Sequence, residues 1–176
     1  MKKYPLLIIA LLVSIVAVSG CVSNQNQTNE TSYSQNGVTF NYPSSWQVAN
    51  TTSPNAVVAV ADPTTVNNQS SPTTLVVIQK SNTTGSNLQT VYSTNYANFF
   101  NNTGNQRVSE GNITVGGAQA IENVYTTNES GVQKEMRAVW LTRNNQVYVI
   151  LCSALQSDFN KEQSNFDMIL NSFKVQ

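Results

Sequence analysis

Val18-Ser19-Gly20-Cys21 is the arrangement in this chain whose residue types and spacing best define a reaction. Small side chains on either side of a scissile bond suit a peptidase that cuts ahead of the cysteine. The Cys21 thiol can carry a diacylglyceryl group through a thioether, and each buried CH₂ of such a group adds about 0.8 kcal/mol of membrane affinity. The rest of the sequence lacks the usual chemical partners. There is no histidine, so no Ser-His or Cys-His nucleophile pair can form. No Ser-x-x-Lys, Gly-x-Ser-x-Gly, phosphate-loop or dinucleotide fingerprint occurs. Asp62, Glu110, Glu122, Glu129, Glu135, Asp158, Glu162 and Asp167 show no calcium-loop spacing. Asp158 and Glu162 stand four apart on a helical stretch, and a solvated helix N-terminus accounts for both. Gly116-Gly117 reads as a hairpin turn, not an anion cradle. These absences point to no catalytic residue, no metal and no cofactor.

The segments around Cys21 support the attachment chemistry. Met1-Lys2-Lys3 is a short positive start, and Leu6 to Val18 is an apolar run of 13 residues. A membrane-spanning helix needs about 20. The charge, oil and small-residue order therefore reads as a signal peptide over residues 1–20. Val18, Ser19 and Gly20 before Cys21 resemble the lipobox of prokaryotic lipoproteins. The expectation is a cell-membrane protein, lipid-anchored at Cys21 and facing outside. An uncleaved anchor helix with an incidental cysteine is the alternative, and it puts the domain on the same side. Cys152, in the apolar run "QVYVILCSAL", reads as a core residue, since no histidine is present to activate it.

Residues 21–36 carry the cysteine and then "VSNQNQTNETSYSQN", which is polar and aperiodic. This reads as a disordered spacer with ends on the order of 20 Å apart. Only 10% of residues are charged, and the chain is formally neutral with 9 bases and 9 acids. Lys2 and Lys3 precede Cys21, so the part beyond it lies near −2, which argues against a nucleic-acid partner. Sequons begin at Asn26, Asn29, Asn50, Asn68, Asn82, Asn101, Asn112 and Asn128, possible glycosylation sites in a host with the machinery.

A single domain over residues 37–176 follows. "GVTFNY" alternates as a half-buried strand, and Ala56–Asp62 and Thr74–Lys80 are apolar β-rich runs. "SNLQTVYSTNYANFF" predicts a helix, with Ser86 and Gln89 in a capping-box pattern and a stripe of Leu88, Val91, Tyr92, Phe99 and Phe100 interrupted by Asn95. Two hairpins follow, turning at Gly116-Gly117 and Asn144-Asn145. In the second, Met136, Ala138 and Trp140 alternate with Val139 and Leu141, so both faces of the sheet need cover. A closing helix, with Ser157 at its N-cap, supplies Phe159, Phe166, Ile169, Leu170 and Phe173. The fold class expected is α+β, an antiparallel sheet sandwiched between helices as α/β/α layers.

"GVTFNYPSSW" at the start, the helix after the third strand, the two hairpins and the closing "NSFKV" together resemble the PsbP-like family over about Gly37 to Val175. That family includes extrinsic photosystem II proteins, a Ran-binding nuclear factor, and bacterial and archaeal lipoproteins. The resemblance implies an antiparallel sheet with helical cover, and the members nearest in style are archaeal envelope lipoproteins. One fold hosts unrelated tasks, and no metal ligand or Ran-contact residue carries over to this chain. The function expected is a non-catalytic module that binds or assists another cell-envelope component. Two alternatives stand beside it: a small-ligand carrier with a pocket near Tyr92, Tyr96 or Trp140, and an envelope hydrolase.

Overall fold

The computed structural model describes residues 13–14, 29–53, 55–67, 71–83, 85–102 and 104–176. In chain order the elements are β1 (Val13–Ser14), β2 (Glu30–Gln35), β3 (Val38–Pro43), β4 (Gln47–Thr51), β5 (Ala56–Ala61), a 3-10 turn at Pro63–Thr65 and β6 (Leu75–Asn82). Then come α1 (Leu88–Asn102), β7 (Gln106–Val115), β8 (Ala118–Glu129), β9 (Val132–Arg143), β10 (Gln146–Leu155), α2 (Phe159–Ser172) and β11 (Lys174–Val175). The molecule is dominated by antiparallel sheet. An eight-stranded sheet runs β1-β4-β5-β6-β10-β9-β8-β7, and a three-stranded sheet runs β11-β3-β2.

The second half follows its turn residues closely. Gly116 and Gly117, and Asn144 and Asn145, all have positive φ. That conformation matches the twist of two-residue hairpins, and it sets the registers Val115↔Ala118 and Arg143↔Gln146. A third tight turn, Ser130-Gly131, has the same geometry and joins β8 to β9.

Alternation along β9 separates two cores. Val139 and Leu141 join a cluster with Phe159, Phe166, Ile169, Leu170 and Phe173 of the α2 end of the chain. Ala138 and Trp140 join one with Val91, Tyr92 and Tyr96 of α1. Asn95, the polar break in the α1 stripe, is buried and donates its Nδ2 to the Val91 carbonyl at 2.8 Å.

Four expectations need correction. Ordered structure starts before Gly37: Glu30–Gln35 of the expected spacer is β2, paired with β3 from Glu30↔Pro43 to Gln35↔Val38. Tyr33 explains this, since it is buried and stacks on Phe40 at 5.1 Å. The domain thus includes part of the segment assigned to residues 21–36; the rest of that segment, 21–28, lies outside the described residues. The cover over the large sheet also differs, because Tyr33, Phe40 and Tyr42 of the small sheet share the α2 core; helices alone do not sandwich the sheet. Asn87, not Ser86, caps α1, accepting the Thr90 N–H at 2.9 Å. Asp158, not Ser157, occupies the N-cap of α2 and makes no side-chain cap bond there.

Candidate functional site

Val18, Ser19, Gly20 and Cys21 lie outside the described residues, as do Asn26 and Asn68. The structure does describe the chain from residue 29 onward. Glu30 pairs with Pro43, and Ser44 donates its N–H to the Asn29 carbonyl at 3.1 Å. The domain is therefore pinned from residue 29 onward. The sequons at Asn29, Asn50, Asn82, Asn101, Asn112 and Asn128 all sit at exposed positions. Two of these amides are engaged: Asn82 Oδ1 accepts from Gln146 at 3.0 Å, and Asn128 Oδ1 accepts the Gly131 N–H at 2.8 Å.

Cys152 is fully buried in the α2 core. Burial pushes its thiol up to about 12, and the neighbouring Arg137 guanidinium only partly opposes this. A thiol in that state is inert. We expect no native alkylation of Cys152 by iodoacetamide at pH 8 and full alkylation in denaturant, read by peptide mass spectrometry.

Arg137, opposite Cys152 in the β9–β10 ladder, organises a polar cluster that no sequence motif marks. Its Nε donates to Glu122 and its Nη1 to Asp167, both at 2.6 Å, with Gln163 at 3.2 Å. Burial pulls on its charge, but the two carboxylates outweigh that and hold its pKa above the ordinary value. The cluster ties β8 and β9 to α2, which makes it a structural clamp.

The three rings expected to line a pocket instead pack on one another. Tyr92 lies 4.8 Å from Tyr96 and 5.9 Å from Trp140, and Tyr96 lies 5.4 Å from Trp140. Each is at most 2% exposed. Trp140 Nε1 donates to the Tyr96 hydroxyl at 3.3 Å, and the Tyr92 hydroxyl donates to Glu110 at 2.5 Å. Burial raises the pKa of Tyr92, Tyr96 and Tyr125 well above 10.0, and for Tyr92 the Glu110 bond adds to it. The native state keeps these phenols neutral while the unfolded chain ionises them. Their contribution to stability is complete below about pH 10 and lost as pH rises further. Urea midpoints measured from pH 8 to pH 11 should fall across the upper part of that range.

The remaining candidates hold local roles. Asp158 is bonded to Lys161, and Glu162 accepts from Asn165, each at 2.8 Å. Among the described residues no group of three or more His, Cys, Asp or Glu could hold a metal. Among them, too, no helix is long and apolar enough to cross a membrane. Gly116 is a packing position as well as a turn. A Cβ there would meet the Phe173 carbonyl oxygen at 2.6 Å, and its φ is +56°. Gly116→Ala is expected to cost about 2 kcal/mol through strain at a positive φ and the clash, measured by chemical denaturation.

These features define an α+β domain in which, among the described residues, antiparallel sheet carries two α-helices. The chain belongs to the PsbP-like family, whose profile matches residues 6–175. Cyanobacterial PsbP from Synechocystis sp. PCC 6803 superimposes with a TM-score of 0.62 at 16% identity, covering 89% of this chain and 98% of that one. LpqN of Mycobacterium tuberculosis, described as involved in cell envelope biogenesis, gives 0.64 at 14% identity, covering 84% and 90%. A point mutant of the protein Mog1 gives 0.57 at 7% identity, covering 84% and 96%. At these identities the likeness concerns the fold. A search of curated proteins found no match.

Proposed function

We propose that this protein is a lipid-anchored module on the outer side of the cell membrane, which binds or assists another envelope component without catalysing a reaction. The observation that carries this reading is Val18-Ser19-Gly20-Cys21, placed between an apolar run and a domain that starts only a few residues later. The PsbP-like fold and the envelope role of LpqN support it. So does the engagement of Glu110, Glu122, Asp158, Glu162 and Asp167, of Cys152 and of the aromatic cluster in structural contacts. Surface positions of the six described sequon asparagines fit modification by glycans on the same outer side. The packed rings at Tyr92, Tyr96 and Trp140 give a small-ligand carrier no comparable support, and no observation favours a hydrolase.

Mass spectrometry of the native protein tests the anchor. The expected result is a chain starting at Cys21 with a diacylglyceryl mass on the thiol. Cys21→Ser should move the protein from the membrane fraction to the soluble or uncleaved pool. An intact leader and an unmodified Cys21 would overturn the reading. Crosslinking in intact membranes, followed by purification of the full chain, should enrich a defined envelope protein; repeated recovery of the chain alone would count against the binding role.

A further inference from the structure

One end of the large sheet is an uncovered strand. β7 closes the strand order, and among the described residues it pairs only with β8. Gln106 through Asn112 are exposed on both faces, and only Ile113 and Val115, next to the turn, pack on the core. An edge strand points half of its main-chain N–H and C=O groups away from its neighbour, and pairing with another strand satisfies them.

The side chains on this edge add a pattern to the bare main chain. The ladder with β8 shifts register between Arg107 and Ser109, which makes Val108 the extra residue of a bulge. Val108 is 57% exposed, the most exposed large apolar side chain among the described residues. The bulge also sets Arg107 and Glu110 on one face, although they stand three apart. Both face α1: the Arg107 guanidinium lies over the Phe100 ring at 4.6 Å, and Glu110 accepts the Tyr92 hydroxyl at 2.5 Å. Their side chains still remain 52% and 42% exposed. The helix contacts thus hold one positive and one negative charge in place on an open edge, so less side-chain freedom is lost when partner charges arrive.

This charge order is complementary to itself. Two β7 strands running antiparallel, centred between Val108 and Ser109, place Arg107 of each copy opposite Glu110 of the other. The faces agree, because a two-fold axis normal to the sheet keeps both α1 faces on one side. Opposite charges directly across an antiparallel pair are favourable, and like charges are not. Registers that set Glu110 against Glu110, or Arg107 against Arg107, are disfavoured on that ground. Val108 lies beside the axis, where pairing takes it out of water.

We propose that β7 is a self-association edge: two copies of this chain join β7 to β7 antiparallel, with reciprocal Arg107–Glu110 pairs and Val108 at the centre. The two large sheets become continuous across the dimer. No residue of the attachment segment takes part, so the pairing does not require a lipid on Cys21.

Disulfide trapping in intact cells tests this. Two full-length copies with different tags are co-expressed, one with Gln106→Cys and the other with Gly111→Cys. These positions oppose each other in the proposed register, on the face away from α1, and a Cβ at Gly111 meets nothing within 4 Å. Mild oxidation should give the mixed dimer as the main product; Cys152 is fully buried and stays out of the reaction. With Gln106→Cys in both copies the thiols are out of register and beyond disulfide reach, and yield should fall about tenfold. Charge exchange supplies the second readout. Adding Glu110→Arg to both copies of the trapping pair should cut the yield about tenfold, by setting like charges opposite each other. Pairing a Glu110→Arg copy with an Arg107→Glu copy should restore it, which also shows that neither change unfolds the domain. Absence of the mixed dimer, equal yield from out-of-register thiols, indifference to the charges, or loss without restoration would each overturn the proposal. Capture of a different envelope protein by the Gly111→Cys copy, without the mixed dimer, would overturn a second copy as the occupant.

Discussion

Trp140→Ala is expected to destabilise the domain by about 3–5 kcal/mol, the range for removing a large buried aromatic. Trp140 is fully buried on β9, where it supports Tyr92 and Tyr96 of α1. The truncation removes ring contacts on two sides and takes away the donor that satisfies the Tyr96 hydroxyl. Tyr96 is itself packed against Phe99, Phe100 and Tyr125, so collapse into the space is limited. Thermal unfolding should shift down by about 10 °C for a domain of this size. Trp140→Phe should cost less than half as much. A Trp140→Ala midpoint within about 2 °C of the parent would show that α1 is not held by this cluster.

Arg137→Ala is the second large effect, about 2–4 kcal/mol. The Arg137 side chain is 15% exposed and that of Glu122 is 22% exposed, so its loss strands a mostly buried carboxylate. The Asp167 arm contributes less, because that side chain is 51% exposed and water screens the pair. The double change Arg137→Met and Glu122→Gln keeps the apolar stem and removes the orphaned charge. It should recover more than half of the loss in a denaturant titration. If Arg137→Ala lies within about 0.5 kcal/mol of the parent, the cluster is ornamental to stability.

The fold was legible where a local rule decided the outcome. Gly116-Gly117 and Asn144-Asn145 sit at positive φ because two-residue hairpins need it, and these turns announce themselves by residue type. The alternation from Met136 to Leu141 correctly separated two buried faces. Composition misled at Glu30–Gln35, where one aromatic residue among polar neighbours was enough to place a strand: Tyr33 finds Phe40, while the other side chains of β2 remain exposed. The helix starts slipped by one residue because Ser86-Asn87 and Ser157-Asp158 each offer adjacent capping types. The Arg137 cluster was illegible, since Glu122, Arg137 and Asp167 are far apart in sequence and meet only through strand pairing and helix packing. The α1 stripe is visible in the sequence, but the filled volume around Tyr92, Tyr96 and Trp140 is not, because periodicity gives the face of a helix and says nothing of what lies across from it.

The early start of β2 changes the reach of the anchored molecule. With Cys21 in the bilayer, as proposed, the leash runs only from Val22 to Thr28 before residue 29 is fixed to the domain. Even at full extension a segment of that length spans no more than about 25 Å. A body tethered in that way would patrol a thin shell above the headgroups and encounter mainly molecules that share its membrane. Lengthening the leash with inserted Gly-Ser repeats would dilute those encounters without touching a single contact in the domain.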